Sequence, residues 1–120
     1  MKLAITATGN RLTAAVDPRF GRAAYFIIID PETMTFEAIE NSQNLNLPQG
    51  AGIQAGKTIV ENKVDALITG NCGPKAFQVL NRAGVKILLG ASGTISDAVE
   101  QYKAGKLEAA ADANVDGHWV

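Results

Sequence analysis

The sequence is poor in the residues that announce a familiar chemistry. Its 120 residues include one cysteine, Cys72, so no disulfide can close within the chain, and neither a CxxC pair nor a Cys/His zinc site can be assembled. The one histidine, His118, lies near the C-terminal end, which disfavours Ser/His/Asp and Cys/His nucleophilic devices. Neither sign of charge is in excess: 11 basic and 12 acidic side chains give a net charge of −1. That balance leaves no electrostatic footprint for wrapping nucleic acid or lying on an anionic bilayer. The longest apolar run, residues 23–29, is far shorter than the roughly 18 residues a membrane span needs. The first residues lack the apolar length and cleavage pattern of a signal peptide. These absences predict a cytoplasmic protein with a single domain over residues 1–120 and one ordinary hydrophobic core.

What is present changes rhythm along the chain. Residues 2–8, 23–30 and 35–41 read as three strands, joined by an ordered loop over 12–23 and a turn at Pro31-Glu32-Thr33. A polar loop over 42–50 leads to a helix over 51–63, with Gly52, Gly56, Ile59, Val60 and Lys63 near one face and its glycines permitting close packing on a sheet. A buried strand follows at 65–69. Pro74 then opens a helix whose apolar face holds Phe77, Leu80 and Ala83, with Val79 beside it, and Gly84 stops it. Residues 85–89 form the fifth strand, and Thr94 with Asp97 predicts a capping box for a helix ending at Gly105. Residues 108–113 are Ala-rich and read as irregular, and Trp119 either folds back over a sheet edge or sits in a loose tail. The order βββ-αβαβα predicts an α/β fold: a mixed five-stranded sheet, an antiparallel three-strand meander followed by two parallel strand-helix units, with helices on its faces.

Three turns carry the candidate chemistry. The first, Asp17-Pro18-Arg19-Phe20-Gly21-Arg22-Ala23, sets two guanidiniums three residues apart beside a permissive glycine, suited to an anion. Its plain alternative is a solvated turn pinned by Phe20 in the core. The second, Thr69-Gly70-Asn71-Cys72-Gly73-Pro74-Lys75-Ala76, joins a strand to a helix N-terminus, where ligands of open α/β sheets bind. The third, Gly90-Ala91-Ser92-Gly93-Thr94, stands at the corresponding end of the neighbouring strand. Neither of these last two matches GxxxxGK[ST] or GxGxxG, and each can equally be only a tight turn. Cys72 at a helix start near Lys75 predicts a favoured thiolate, a soft-metal ligand or redox thiol, against the alternative of a small buried hydrophobe. Alone it cannot hold a four-thiolate cluster. Residues 2–8 contain no carboxylate, which works against two-metal nuclease chemistry.

The first strand, the Asp17–Ala23 loop with the Tyr25–Asp30 strand after it, and the Thr69–Phe77 segment together resemble the dinitrogenase iron-molybdenum cofactor biosynthesis family, the NifX-like and NifB C-terminal group. The resemblance extends through the Gly84-Val85 turn and the 94–105 helix. It implies a ribonuclease H-like three-layer α/β/α fold without nuclease activity. It also implies a small non-enzymatic carrier of an anionic molybdenum- or iron-containing sulfide cluster, or of a molybdenum-copper sulfide cluster, held without covalent attachment. Arg19, Phe20, Gly21 and Arg22 of the first turn, Asn71, Cys72, Gly73 and Lys75 of the second, and Ser92 and Gly93 of the third are then the binding residues, with Cys72 the metal ligand. Several nitrogenase-associated members carry His before Phe-Gly, where this chain has Arg19. Implied partners are the cluster itself or cluster-assembly proteins, with no nucleic acid and no membrane, and the chain a monomer or weak homodimer. The alternatives from the residues are an enzyme or phosphate- or nucleotide-binding protein using the turns at 70–75 and 90–94, or a metal-free interaction module.

Overall fold

The computed structural model describes residues 1–41 and 50–111. Its elements in chain order are β1 (Leu3–Ala7), β2 (Tyr25–Ile29), β3 (Phe36–Glu40), α1 (Ala51–Glu61), β4 (Ala66–Ile68), α2 (Pro74–Arg82), β5 (Lys86–Leu89), α3 (Ile95–Lys103) and β6 (Glu108–Ala109). They form one mixed sheet in the order β3-β2-β1-β4-β5-β6. The meander pairs antiparallel, Leu3 opposite Ile29 and Ile29 opposite Phe36, while β1, β4 and β5 run parallel.

The expected five strands become six. Glu108 and Ala109 pair antiparallel with Leu89 and Leu88 where irregular chain was predicted. Two residues carry no readable alternation, so only the backbone ladder reveals this strand. The 42–50 connection lies outside the described residues except for Gly50, and the 114–120 tail with His118 and Trp119 lies outside them altogether.

Side-chain alternation divides the core between the two faces of the sheet. Leu3, Ile5 and Ala7 of β1 join Ile27, Ile29 and the α3 residues Ile95, Ala98 and Val99 on one face. On the other, Ala4, Phe26 and Ile28 meet Ala55 and Ile59 of α1 and Phe77 and Leu80 of α2. The result is three layers, with β1 wholly buried at the centre. Each large side chain removed from water in this way contributes roughly 1.5–3 kcal/mol. The helix glycine Gly56 serves a different neighbour from the one its sequence suggests: a Cβ there would lie 3.0 Å from Cγ1 of Val79, so it closes α1 onto α2 rather than onto the sheet. Lys63 falls beyond α1, exposed at φ +55°, instead of on a packed helix face. Among the described residues no helix is long and apolar enough to cross a membrane.

Candidate functional site

Because β1, β4 and β5 are parallel, the segments leaving their C-terminal ends emerge on one side of the sheet. Backbone hydrogen bonds then mesh the three turns. Asn71 donates from its backbone N–H (2.8 Å) and its side-chain amide (3.2 Å) to the carbonyl of Pro18, and Arg19 forms a parallel bridge with Asn71. Val16 donates to the Gly93 carbonyl at 2.9 Å, and Gly90 to the Gly70 carbonyl at 3.4 Å. Gly70 is what allows the first contact: a Cβ on it would stand 2.8 Å from Cα and 3.0 Å from the carbonyl oxygen of Pro18.

Beneath the turns runs a buried hydroxyl chain. Thr6 Oγ1 lies 2.7 Å from the Asp17 carbonyl and 2.9 Å from Thr69 Oγ1. A hydroxyl has one proton. The carbonyl can only accept, so Thr6 donates to Asp17 and Thr69 donates to Thr6. Asp17 in turn donates its N–H to the Thr6 carbonyl at 2.9 Å. Its carboxylate accepts the N–H of Arg19 at 3.0 Å, an Asx turn that fixes the start of the cationic loop.

The far end of that loop is held by the residue that follows β3. Asn41, 1% exposed, donates its side-chain amide to the carbonyls of Gly21 (3.2 Å) and Ala23 (2.8 Å). Phe20 is fully buried, its ring 5.7 Å from that of Phe26, so it anchors the loop instead of meeting a ligand. Between these anchors the Arg19 side chain stays 52% exposed, with its Nε 3.9 Å from Asp17. Arg22 and Asn71 are half-buried, and Gly21 and Gly73 are buried.

The helix starts differ in a way that bears on anions. At α2, Gly73 is the N-cap and Pro74 the first residue; no side chain caps the first turn, and Lys75 there is exposed. At α3 the predicted capping box is complete, Thr94 Oγ1 accepting from Asp97 at 3.1 Å and Asp97 Oδ2 accepting from Thr94 at 3.0 Å. An uncapped first turn with basic neighbours favours negative charge, whereas the Asp97 carboxylate already occupies the other. Ser92 and Gly93 belong to that second start. The Ser92 N–H donates to Gln101 Oε1 at 3.2 Å, and Gly93 at φ +80° lies against Asp97, so both act as struts.

Cys72 corrects the expectation of a favoured thiolate. It is 1% exposed among Phe20, Ala76 and Phe77, and its thiol donates to the Gly73 carbonyl at 3.6 Å. Burial pushes its pKa up to about 12, because the desolvated thiolate outweighs any benefit from the helix start. Among the described residues there is no group of three or more His, Cys, Asp or Glu side chains placed to hold a metal ion.

Thr6 and Asn41 were not singled out by sequence reasoning, and Thr69 and Gly70 entered it only as members of the second turn, without these roles. The available signal was a polar residue inside or just beyond an apolar strand, as in Leu3-Ala4-Ile5-Thr6-Ala7, whose hydroxyl must find a partner once buried.

A mixed six-stranded sheet whose glycine-rich turns converge beside a cationic loop at its strand ends defines an α/β protein. The chain belongs to the dinitrogenase iron-molybdenum cofactor family, whose model matches residues 1–105. It is 40% identical to the orange protein of Desulfovibrio gigas, whose apo form superimposes with a TM-score of 0.91 over 95% of this chain and 96% of that one. A NifB candidate from Thermotoga superimposes with a TM-score of 0.82 at 34% identity, covering 97% of this chain and 98% of its own. An uncharacterized protein of Methanocaldococcus jannaschii, MJ0580, is 32% identical over 90% of each chain.

Proposed function

We propose that the chain is a non-enzymatic, single-domain carrier of a compact anionic metal-sulfide cluster, containing molybdenum, iron or both, or of its precursor. The observation that carries this reading is the uncapped first turn of α2 set against the Arg19 loop through the Pro18–Asn71 contact. Arg19, Arg22 and Lys75 supply positive charge around backbone donors, which suits an anion bringing its own sulfide. A bare cation has no comparable ligand set among the described residues. Cys72 is assigned to packing beneath the turn, and cluster-assembly proteins are the partners that would deliver or collect the cargo. Under this reading the sheet is ribonuclease H-like, with a central strand free of carboxylates.

The test is anaerobic reconstitution with thiomolybdate, alone and with iron or copper, followed by elemental analysis and absorbance. Stoichiometric metal and charge-transfer bands are expected for the wild type, and Arg19→Gln with Lys75→Gln raises the half-saturating concentration by about tenfold or more, the scale of a lost charged hydrogen bond. Absence of both bands and stoichiometric metal in the wild type overturns the proposal.

A further inference from the structure

The outer margin of β3 stands apart from the cluster reading. Asp30 donates to the Thr35 carbonyl at 3.0 Å and Asn41 to the Ala24 carbonyl at 2.9 Å, so these pairs bracket the β2–β3 ladder. In an antiparallel ladder bonded pairs alternate, so residues 35, 37, 39 and 41 face β2. The N–H and C=O groups of Phe36, Ala38 and Glu40 therefore point away from the sheet, and among the described residues β3 is its terminal strand. Phe36, Glu37, Ala38 and Glu40 are all exposed, Phe36 by 38%. This edge contains neither proline nor lysine, two common guards of an edge strand. Its charge has one sign: residues 30–40 hold Asp30, Glu32, Glu37 and Glu40 and no base. Beside its first residue lies a hollow of about 410 Å³ whose apolar wall is Ile28, Ile29 and Phe36 and whose polar rim includes Lys2, Asp30 and Glu37.

We propose that β3 is a docking edge for a basic, extended segment of a partner protein, which adds to the sheet as a seventh strand. The outward amides and carbonyls supply main-chain bonds, and side chains alternating along the added strand supply selectivity. Lysines opposite Glu37 and Glu40 meet carboxylates on the two faces, and an apolar residue opposite Phe36 reaches the hollow. A second copy of this chain is a poor occupant. An antiparallel pair centred on Ala38 gathers Glu37 and Glu40 from both copies, with no base between residues 30 and 40 in either.

The blocked heptapeptide Thr-Lys-Ile-Thr-Lys-Val-Thr, added to the isotope-labelled full chain, tests the proposal by amide exchange and chemical shifts. The expected result is saturable binding that slows exchange at Phe36, Ala38 and Glu40, with no such effect when glutamates replace the peptide's lysines. Ala38→Pro removes an outward donor while sparing the bonds to β2, and it abolishes the protection. Glu37→Gln with Glu40→Gln, both exposed and neutral to folding, weakens binding by about fivefold. Unchanged exchange at those three amides, equal binding by Ala38→Pro, or concentration-dependent self-association through β3 without peptide each overturns it.

Discussion

At the C-terminal ends of β1, β4 and β5 the backbone that leaves the sheet is taken up by neighbouring turns. Pro18 meets Asn71, Gly93 meets Val16 and Gly70 meets Gly90. Along β3 the outward groups of alternate residues meet nothing among the described residues. The first region is closed by backbone, carries exposed cations and tolerates no added atom at Gly70. The second is open, acidic and exposed. The difference teaches where this chain can accept change: rigidity is spent on fixing the position of a few side chains, and openness is confined to one margin.

Substitutions in the two regions break this comparison if it is wrong. The largest effect is expected at the turn. Gly70→Ala forces a methyl against Pro18 backbone that cannot swing aside, costing about 1–3 kcal/mol in chemical denaturation, the range of overpacked sites. Ala38→Val, the same kind of enlargement on the open edge, changes stability by less than about 0.5 kcal/mol. Next comes Thr69→Val, which removes one member of the hydroxyl chain but leaves Thr6 donating to Asp17. It costs about 1 kcal/mol by the same measurement, the usual net worth of one hydrogen bond.

The smallest effect is chemical. Cys72 reacts slowly with a thiol reagent at pH 8 in the folded protein and rapidly once unfolded, because burial keeps its thiol protonated. Its folded pKa, about 12, lies above the ordinary 9.0, so the unfolded state loses its proton first. The stability contributed by the buried thiol is therefore intact below pH 9 and is lost as pH rises from 9 toward 12. Cys72→Ala flattens that part of the stability profile, and an unchanged alkaline limb shows that the thiol is not the group responsible.

Features with a local cause were legible in the sequence. The Thr94–Asp97 box, Pro74 at a first helical position and Gly84 at φ +78° each follow from neighbouring residues and appear where expected. So does the meander, since alternation and a Pro31 turn suffice to write it. The site was legible in part: the cationic loop and the α2 turn do meet, but sequence could not show that Gln101 takes up the Ser92 N–H of the third turn. Features with a distant cause were hidden. Cys72 is buried because Phe20, fifty-two positions earlier in the sequence, returns to cover it, and Thr6 finds its acceptor through pairing that only the tertiary fold creates. The two-residue β6 lies below the length at which any period can be seen.

That short strand has a consequence for stoichiometry. Sheets grow into fibres when both margins offer a template of similar reach, each copy receiving a strand on one side and presenting one on the other. Here one margin is five residues long and the other two. A chain built this way can end a stack of strands but has little with which to continue it. If β3 takes a partner strand as proposed, the two-residue margin that β6 offers among the described residues favours a closed one-to-one complex over a growing stack.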